Sequence, residues 1–578
     1  MCGISAIFGK NNSEFNNIYN FVKEQTHRGP DNNSIKKINS NLIFGHNRLK
    51  IVDLSNKANQ PFSHKNISLI FNGMIYNYLE IKKNITNKFY RFKTDCDTEV
   101  ILASYIKWGE DCFKKFTGMF SIVLWDGRKK KLYCVRDRLG IKPLYYTIKN
   151  KNIYISSEIK PIQKMVSPNI NEKVLSNYLN FSLYENKNDT FFQNIKQIEP
   201  GYIYQFENDN TFIRKKYWSL FDEIRKKENR ERKVDQNLVR EKIFSRVNEI
   251  KKIYCRSDVK TAAFLSSGLD SFYLTNLLLE NDKNLKLLLS FGFFSKTKDE
   301  ISNIKKTPIM YKTEHKKIKF TCEQFLKNLN KIQKQQEGPW GGPNVFFMER
   351  LLNFAKKKNF KVAYNADGAD EVFGGYKKYL LPLQKNNNHI NINYFATHID
   401  GTQTDRNNIL KKDFKKKILD YSYNVKVPSK SSIHNHRYLD IVYNKLPRNF
   451  RFSDRYSMSN SIELRYPFLD HELIELSFEL NKENLIKKTE NKILLRKIAN
   501  NYSLRGKRHI NSPLTEWMYK KSMINYINKM ISDSPIFDKY YDRRSTLKFI
   551  DRFYSAKQKN SFKLWQIINL DLWLRNSF

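Results

Sequence analysis

Residue 2 is a cysteine, and it leads at once into Gly3-Ile4-Ser5-Ala6-Ile7-Phe8, an alternation of small and apolar side chains that reads as a strand. The side chain after Met1 is small, so loss of the methionine is expected. The thiol would then lie beside a free α-amino group of pKa about 7.7–8.0. That amine can take the thiol proton and return it to a leaving group, so one residue supplies both nucleophile and base. A thiol used in this way needs a substrate pocket and an oxyanion site brought to it by the rest of the chain.

At 578 residues the chain exceeds a single core, and its length suits about two to four domains. The 41 Phe and 33 Tyr supply core material and argue against wholesale disorder. Cys2, Cys96, Cys112, Cys134, Cys255 and Cys322 include no C-x-x-C pair, which suits a reducing compartment and neither a disulfide framework nor a zinc site. The start shows no basic segment followed by a long apolar core, and no window approaches ~18 uninterrupted apolar residues. A soluble, cytoplasmic protein is expected, with no membrane partner. The formal charge is +45, but the lysines are spread evenly and travel with Asn and Ile, and no nucleic-acid motif accompanies them. Compositional bias accounts for that pattern better than a nucleic-acid groove does.

In the first half, His27-Arg28-Gly29-Pro30-Asp31 is a turn holding a cation beside an anion. A strand from Leu42 presents Arg48 before Ile51-Val52-Asp53. A second, Ile67 to Phe71, runs into Asn72-Gly73, after which Met74-Ile75-Tyr76-Asn77 is read as opening a helix. Thr94 to Val100 is a polar turn capping another helix. Phe120 to Trp125, Leu132 to Arg136 and Ile153 to Ser156 read as further strands.

Taken in order and spacing, Cys2-Gly3-Ile4, the His27–Asp31 turn, the Arg48 strand, Asn72-Gly73, Asp97-Thr98-Glu99 and Arg136 to Tyr146 resemble the glutaminase domain of class II glutamine amidotransferases. Within them the likeness is to the glutamine-hydrolysing asparagine synthetase family. The resemblance implies Cys2 as nucleophile and the Asn72 amide with the Gly73 N–H as oxyanion donors. It implies Arg48, Ile51, Val52 and Asp97 as the glutamine site. The residue types suit those roles: a guanidinium fork matches a carboxylate, and Asp97 can meet an ammonium. Met74 departs from the family's glutamate, leaving Asp97 as the sole carboxylate of that pair.

Lys226 to Lys233 is wholly polar and mostly charged, and reads as an exposed linker. Beyond it come an amphipathic helix (Val239 to Ile250), a buried strand (Lys260 to Leu265) and Ser266-Ser267-Gly268-Leu269-Asp270-Ser271 leading into an apolar helix. A small-residue loop between strand and helix start can cradle phosphate, although no Gly-Lys-Ser/Thr closes a Walker A loop. This loop is similar to the pyrophosphate loop of ATP-pyrophosphatases. Asp367 to Tyr376, Asp454 to Met458, Glu463 to Arg465, Pro467 to Asp470 and Lys492 to Arg496 extend the likeness over nearly the whole chain.

The resemblance implies an ATP site at Leu265, Ser266, Ser267, Gly268, Asp270, Ser271, Phe291, Asn365, Ala366 and Lys492. It makes Asp270 and Asp370 the ligands of Mg2+, and places Asp367 at acyl-adenylate formation and ammonia transfer. Ser267 in place of a loop glycine would cost roughly 1 kcal/mol if that position needs positive φ. Phe272 and Asn365-Ala366 are further departures. Glu337 to Pro343, Lys507 to Pro513 and Trp517 look more like relatives from surface-polysaccharide clusters, so pocket size and donors around Trp340 and the segment following Asp367 are expected to select the acceptor. The expected fold is an α+β N-terminal-nucleophile domain (αββα sandwich) over 1–215, a charged linker over 216–236, and an α/β ATP-pyrophosphatase domain with a parallel sheet and additional helices over 237–578. The expected activity is glutamine-dependent asparagine synthesis, with amidation of a sugar uronic acid as the alternative. Its substrates would be glutamine, ATP and aspartate or another carboxylate, and the likeness allows a homodimer.

Overall fold

The computed structural model describes residues 2–85, 89–185, 188–207, 211–229, 234–294, 301, 304, 306–383, 389–391, 409–414, 424–499, 513–534, 536–556 and 560–577. Asp299-Glu300, a further point of likeness to the family, Arg230 to Lys233 of the charged stretch, and Lys507 to Ser512 lie outside the described residues.

Two six-stranded antiparallel sheets occupy the first 216 residues. The first runs Lys196–Gln197, Tyr145–Lys149, Asn152–Ser156, Gly3–Gly9, Leu42–Arg48, Asn32–Asn39, so the strand after Cys2 is interior, with Ile4 opposite His46 and Ala6 opposite Ile155. The second runs Phe212–Lys216, Tyr202–Phe206, Lys131–Arg136, Gly118–Asp126, Ile67–Ile75, Phe62–His64. Successive strand side chains alternate faces. Ile4, Ala6 and Phe8 accordingly join Phe44, Ile70 and Val123 in a core between the sheets. Ile7 and Ile43 face outward with Ile18 and Phe21 of the helix Asn17–Glu24. The helix Asp97–Trp108 packs on the strand Ile67–Ile75 of the second sheet, giving the expected αββα layers.

Two local expectations change. The strand Ile67–Ile75 continues through Asn72-Gly73, in register with Ser121 and Phe120, and the helix begins only at Tyr78. Gly73 has φ +153, and a Cβ there would lie 2.0 Å from the Met119 carbonyl oxygen. The Asn-Gly pair is therefore a close strand–strand approach rather than a turn. Within the charged stretch, Leu220–Glu228 is a helix capped by the Ser219 side chain, with Leu220 and Ile224 buried one turn apart. Charges on its remaining faces mask that short apolar stripe.

The second half is built on a five-stranded, wholly parallel sheet in the order Glu314–Phe320, Leu285–Phe293, Thr261–Phe264, Val362–Tyr364, Glu463–Arg465. Thr261–Phe264 is buried throughout, as a strand covered on both faces must be. From it the chain first builds outward on one side and later on the other. The order reverses between Thr261–Phe264 and Val362–Tyr364, and ligands of such sheets bind at the strand ends beside that reversal. The Ser266–Ser271 loop follows the first of these strands and Asn365 to Asp370 the second, so the sheet itself brings the two motifs together. Among the described residues no helix is long and apolar enough to cross a membrane.

Candidate active sites

Cys2 opens on a narrow cavity of about 40 Å³ that is also lined by Arg48, Ile51, Val52, Gly73, Met74, Asp97 and Glu463. The Cys2 nitrogen donates to Asn72 Oδ1 at 3.0 Å. With its carbonyl held in this way, Asn72 keeps a buried Nδ2 that has no hydrogen-bond partner. A buried donor without an acceptor costs about 1–3 kcal/mol, and an arriving oxyanion would satisfy it. Burial pushes the Cys2 thiol up, so it remains protonated at neutral pH until a base takes the proton.

Asp97 heads its helix and accepts from the Ile75 N–H at 3.0 Å. Burial raises its carboxyl to about 6. Arg48 lies in the cavity wall, but one Nη1 bonds the Ser55 carbonyl (2.7 Å) and Asn59 Oδ1 (2.8 Å), and Nη2 bonds the Asp53 carbonyl. Three donor contacts thus tie its fork to the 53–59 loop. Met74 is buried where a second carboxylate was missed from the sequence, while Glu463, from the edge strand of the parallel sheet, reaches the same cavity.

The second cavity, about 380 Å³, is lined by Leu265, Ser266, Gly268, Asp270, Ser271, Phe291, Asn365, Ala366, Asp367 and Asp370. Ser267 and Lys492 are not in its wall. Ser267 does not adopt positive φ, so the anticipated backbone cost does not arise. The Ser271 hydroxyl is 2.7 Å from Ser266 Oγ and accepts the Ser266 N–H at 3.0 Å, closing the loop on itself. Phe272 is buried in the helix Leu269–Leu279.

Lys492 is 2% exposed and sits behind the cavity, bonded to Asp270 and 2.6 Å from Asp370. Its φ of +54 is an unusual conformation for a side-chain-bearing residue. Burial alone would lower the Lys492 ammonium, yet Asp270 and Asp370 hold it above its ordinary value. Asp367 is raised to about 6 by burial and then by Asp370, and Glu371 to about 8 by burial, Asp370 and Asp440. Gly368 allows the turn between them, with φ +97 and a Cβ position only 2.1 Å from Leu469 Cδ2.

One wall of this cavity was not anticipated. Asn344, Met348, Asn449, Phe452 and Tyr456 form it, from the helices Pro343–Lys357 and Lys445–Met458. Tyr456 fell in a motif noted above, but nothing in the sequence distinguishes Asn449 or Phe452. Trp340 is elsewhere: fully buried, it donates to Gln333 Oε1 (2.9 Å), and its carbonyl accepts from Trp565 Nε1 (3.1 Å) and Asn569 Nδ2 (2.8 Å). Trp517 stacks in the same aromatic cluster through Phe325. Both tryptophans are core residues, so the expectation that Trp340 faces a pocket is corrected: it does not line this cavity. Among the described residues no group of three or more His, Cys, Asp or Glu is arranged to hold a metal ion.

The cavities share their scaffold. Arg28 donates through Nε to the Cys2 carbonyl (3.1 Å) and through both terminal nitrogens to Asp454, on the helix that carries Asn449, Phe452 and Tyr456. Fold and paired cavities define a glutamine amidotransferase unit joined to a parallel-sheet synthetase unit. The family model described as "Glutamine amidotransferase domain" matches residues 1–218, and that described as "Asparagine synthase" matches 246–575. The chain belongs to the asparagine synthase family, and is a glutamine-dependent, ATP-using ligase. It is 29% identical to asparagine synthetase [glutamine-hydrolyzing] 1 of Bacillus subtilis, over 99% of this chain and 96% of that protein. It is 30% identical to asparagine synthetase [glutamine-hydrolyzing] 2 of the same organism, over 82% of this chain and 66% of that one. The solved glutamine phosphoribosylpyrophosphate amidotransferase of B. subtilis aligns with 45% of this chain and 61% of its own at 15% identity and a TM-score of 0.29, a likeness that decides nothing.

Proposed function

We propose that the chain makes asparagine from aspartate, with glutamine as nitrogen donor and ATP as the activating substrate. One observation carries the reading: the unpartnered Asn72 Nδ2 beside Cys2, in a chain whose second cavity converges Asp270, Asp367 and Asp370 at a strand-order reversal. At the first cavity the Cys2 sulfur attacks the glutamine carboxamide carbon while its proton passes to the α-amine. The oxyanion is met by Asn72 Nδ2 and the Gly73 N–H, each such donor being worth about 3–4 kcal/mol. Ammonia leaves with the returned proton, and water then releases glutamate from the thioester. Asp97 and the free N–H groups of Arg48 would hold the substrate's ammonium and carboxylate.

At the second cavity the acceptor carboxylate attacks the α-phosphorus of ATP and pyrophosphate leaves. Ammonia then attacks the acyl carbon, AMP departs, and Asp367 takes the surplus proton. Leu265, Ser266, Gly268, Ser271, Phe291, Asn365 and Ala366 would receive the nucleotide. Asp270 and Asp370 fit Mg2+, which is commonly held by one or two hard carboxylates together with substrate phosphates. The ion would supply charge neutralisation of the phosphates, and Lys492 backs the same two carboxylates from the protein side.

A second acceptor reading rests on the cavity wall. Its described lining contains no Lys or Arg to meet the α-carboxylate of aspartate, but offers Asn344 and Asn449 beside Phe291, Phe452 and Tyr456. Neutral donors beside aromatic faces suit a hydroxyl-rich sugar acid. Acceptor-dependent exchange of labelled pyrophosphate into ATP separates the two readings. Exchange with aspartate alone supports asparagine synthesis, and exchange only with a nucleotide-linked uronic acid replaces it.

A further inference from the structure

A third cavity, about 600 Å³, lies between the halves and is larger than either reaction cavity; neither Cys2 nor Asp367 reaches it. Its walls come from residues 136–145, 185–221 and 426–455. Its volume is that of sites for small organic ligands, which run to roughly 300–1,000 Å³.

The lining is specific in chemistry. Seven Arg or Lys side chains face it against three carboxylates, so its field favours an anion. Tyr145, Tyr202, Trp218, Phe221, Tyr443 and Phe450 add aromatic surface, which suits a planar ring. Three of its arginines, Arg138, Arg451 and Arg455, are buried, and Arg138 Nε, Arg451 Nη2 and Arg455 Nε have no hydrogen-bond partner, although these nitrogens are themselves closed off from the cavity. Phosphate oxygens are the natural complement of a guanidinium, and a bound phosphate would reach these donors only by turning the side chains toward it. A planar ring, an anionic group and this size together describe a nucleoside monophosphate.

The cavity wall is also connected to the nucleophile. Asp454 lines the cavity and pairs with Arg28, which holds the Cys2 carbonyl. Arg455 lies 3.3 Å from Glu337, whose carboxylate accepts the N–H groups of Ile159 (3.2 Å) and Lys160 (2.8 Å) at the start of a glutaminase-side helix. A ligand that draws on Arg455 or repels Asp454 therefore acts on contacts between the halves.

We propose that this cavity binds a nucleoside monophosphate and that its occupancy changes the rate of glutamine hydrolysis at Cys2. The rate effect rests on the glutaminase reading given above; the binding does not. Calorimetric titration of the full-length protein with GMP, AMP and UMP tests it, with the synthetase cavity first saturated with α,β-methylene-ATP. At least one of the three should bind saturably, one per chain. Lys216→Glu/Lys426→Glu, both on exposed residues of the rim, should weaken that binding about tenfold or more. Val442→Trp, which fills the cavity, should abolish it while binding of the ATP analogue persists. Glutamate release by the wild-type chain should change about threefold or more on addition of the bound nucleotide. No saturable binding of any of the three, or binding indifferent to the rim charge reversal, overturns the site. Binding with glutamate release unchanged overturns the coupling.

Discussion

Arg28 and Asp454 are 426 residues apart in the chain and form a two-pronged ion pair, with Nη1 and Nη2 2.8 and 3.2 Å from the carboxylate oxygens. Both side chains are buried, and Glu158 shares the same guanidinium at 3.0 Å. Removing one partner of such a pair strands a charge, at a cost of about 3–5 kcal/mol. Asp454→Leu should lower the urea midpoint accordingly and reduce glutamine-dependent synthesis. Arg28→Leu/Asp454→Leu should recover only part of the stability, because Glu158 then loses Arg28 and the buried Lys142 loses Asp454, 3.8 Å away.

Asp97 sets a pH dependence. Burial raises its carboxyl from 3.8 to about 6, and only the ionised form attracts the substrate's ammonium. The KM for glutamine should rise as pH falls through about 6, approaching tenfold per unit below it. The KM for aspartate in ammonia-dependent synthesis, measured at a fixed concentration of free NH3, should not follow Asp97. The folded state holds this proton more tightly than the unfolded chain, so the group's contribution to stability is fully present below the unfolded value and is lost as pH rises through about 6. Asp97→Asn should remove both dependences.

Gly73→Ala tests the oxyanion strand. The added methyl would meet the Met119 carbonyl at 2.0 Å in a pairing that neither strand can relax locally. Displacing the Gly73 N–H should reduce glutamate formation by about 100-fold or more, while ammonia-dependent synthesis is retained.

The framework around Cys2 was legible because its signals are local. Gly3 to Phe8 is a run of small and apolar residues of strand type, and the Ser266–Ser271 loop sits between an apolar strand and an apolar helix. Long-range contacts were not legible. Asn72-Gly73 carries a turn signal that pairing with Ser121 and Phe120 overrides. Trp340 resembles a pocket residue until Trp565 and Asn569, more than two hundred residues on, bury it. The Leu220–Glu228 helix buries only Leu220 and Ile224, with Phe221 half-buried beside them, too few to stand out among its charges. Arg48 was read as a substrate fork, but its contacts with the 53–59 loop depend on how that loop folds back.

Lys492 stands between two carboxylates that would otherwise repel. Lys492→Met should lower thermal stability in metal-free buffer, and millimolar Mg2+ should restore part of the loss, since Asp270 and Asp370 can then share a hard cation. Differential scanning calorimetry with and without EDTA reads this directly. Synthesis should be lost in the variant and glutamate formation retained.

The most direct test follows glutamate and AMP together in the wild-type chain and in Cys2→Ala, with glutamine or ammonium chloride as the nitrogen source and the acceptor identified by pyrophosphate exchange. The wild-type chain should form glutamate and AMP in equal amounts from glutamine. Cys2→Ala should form no glutamate yet still yield AMP and pyrophosphate with ammonium. Glutamate formation undiminished in Cys2→Ala would contradict the nucleophile assignment and the division of labour between the two cavities.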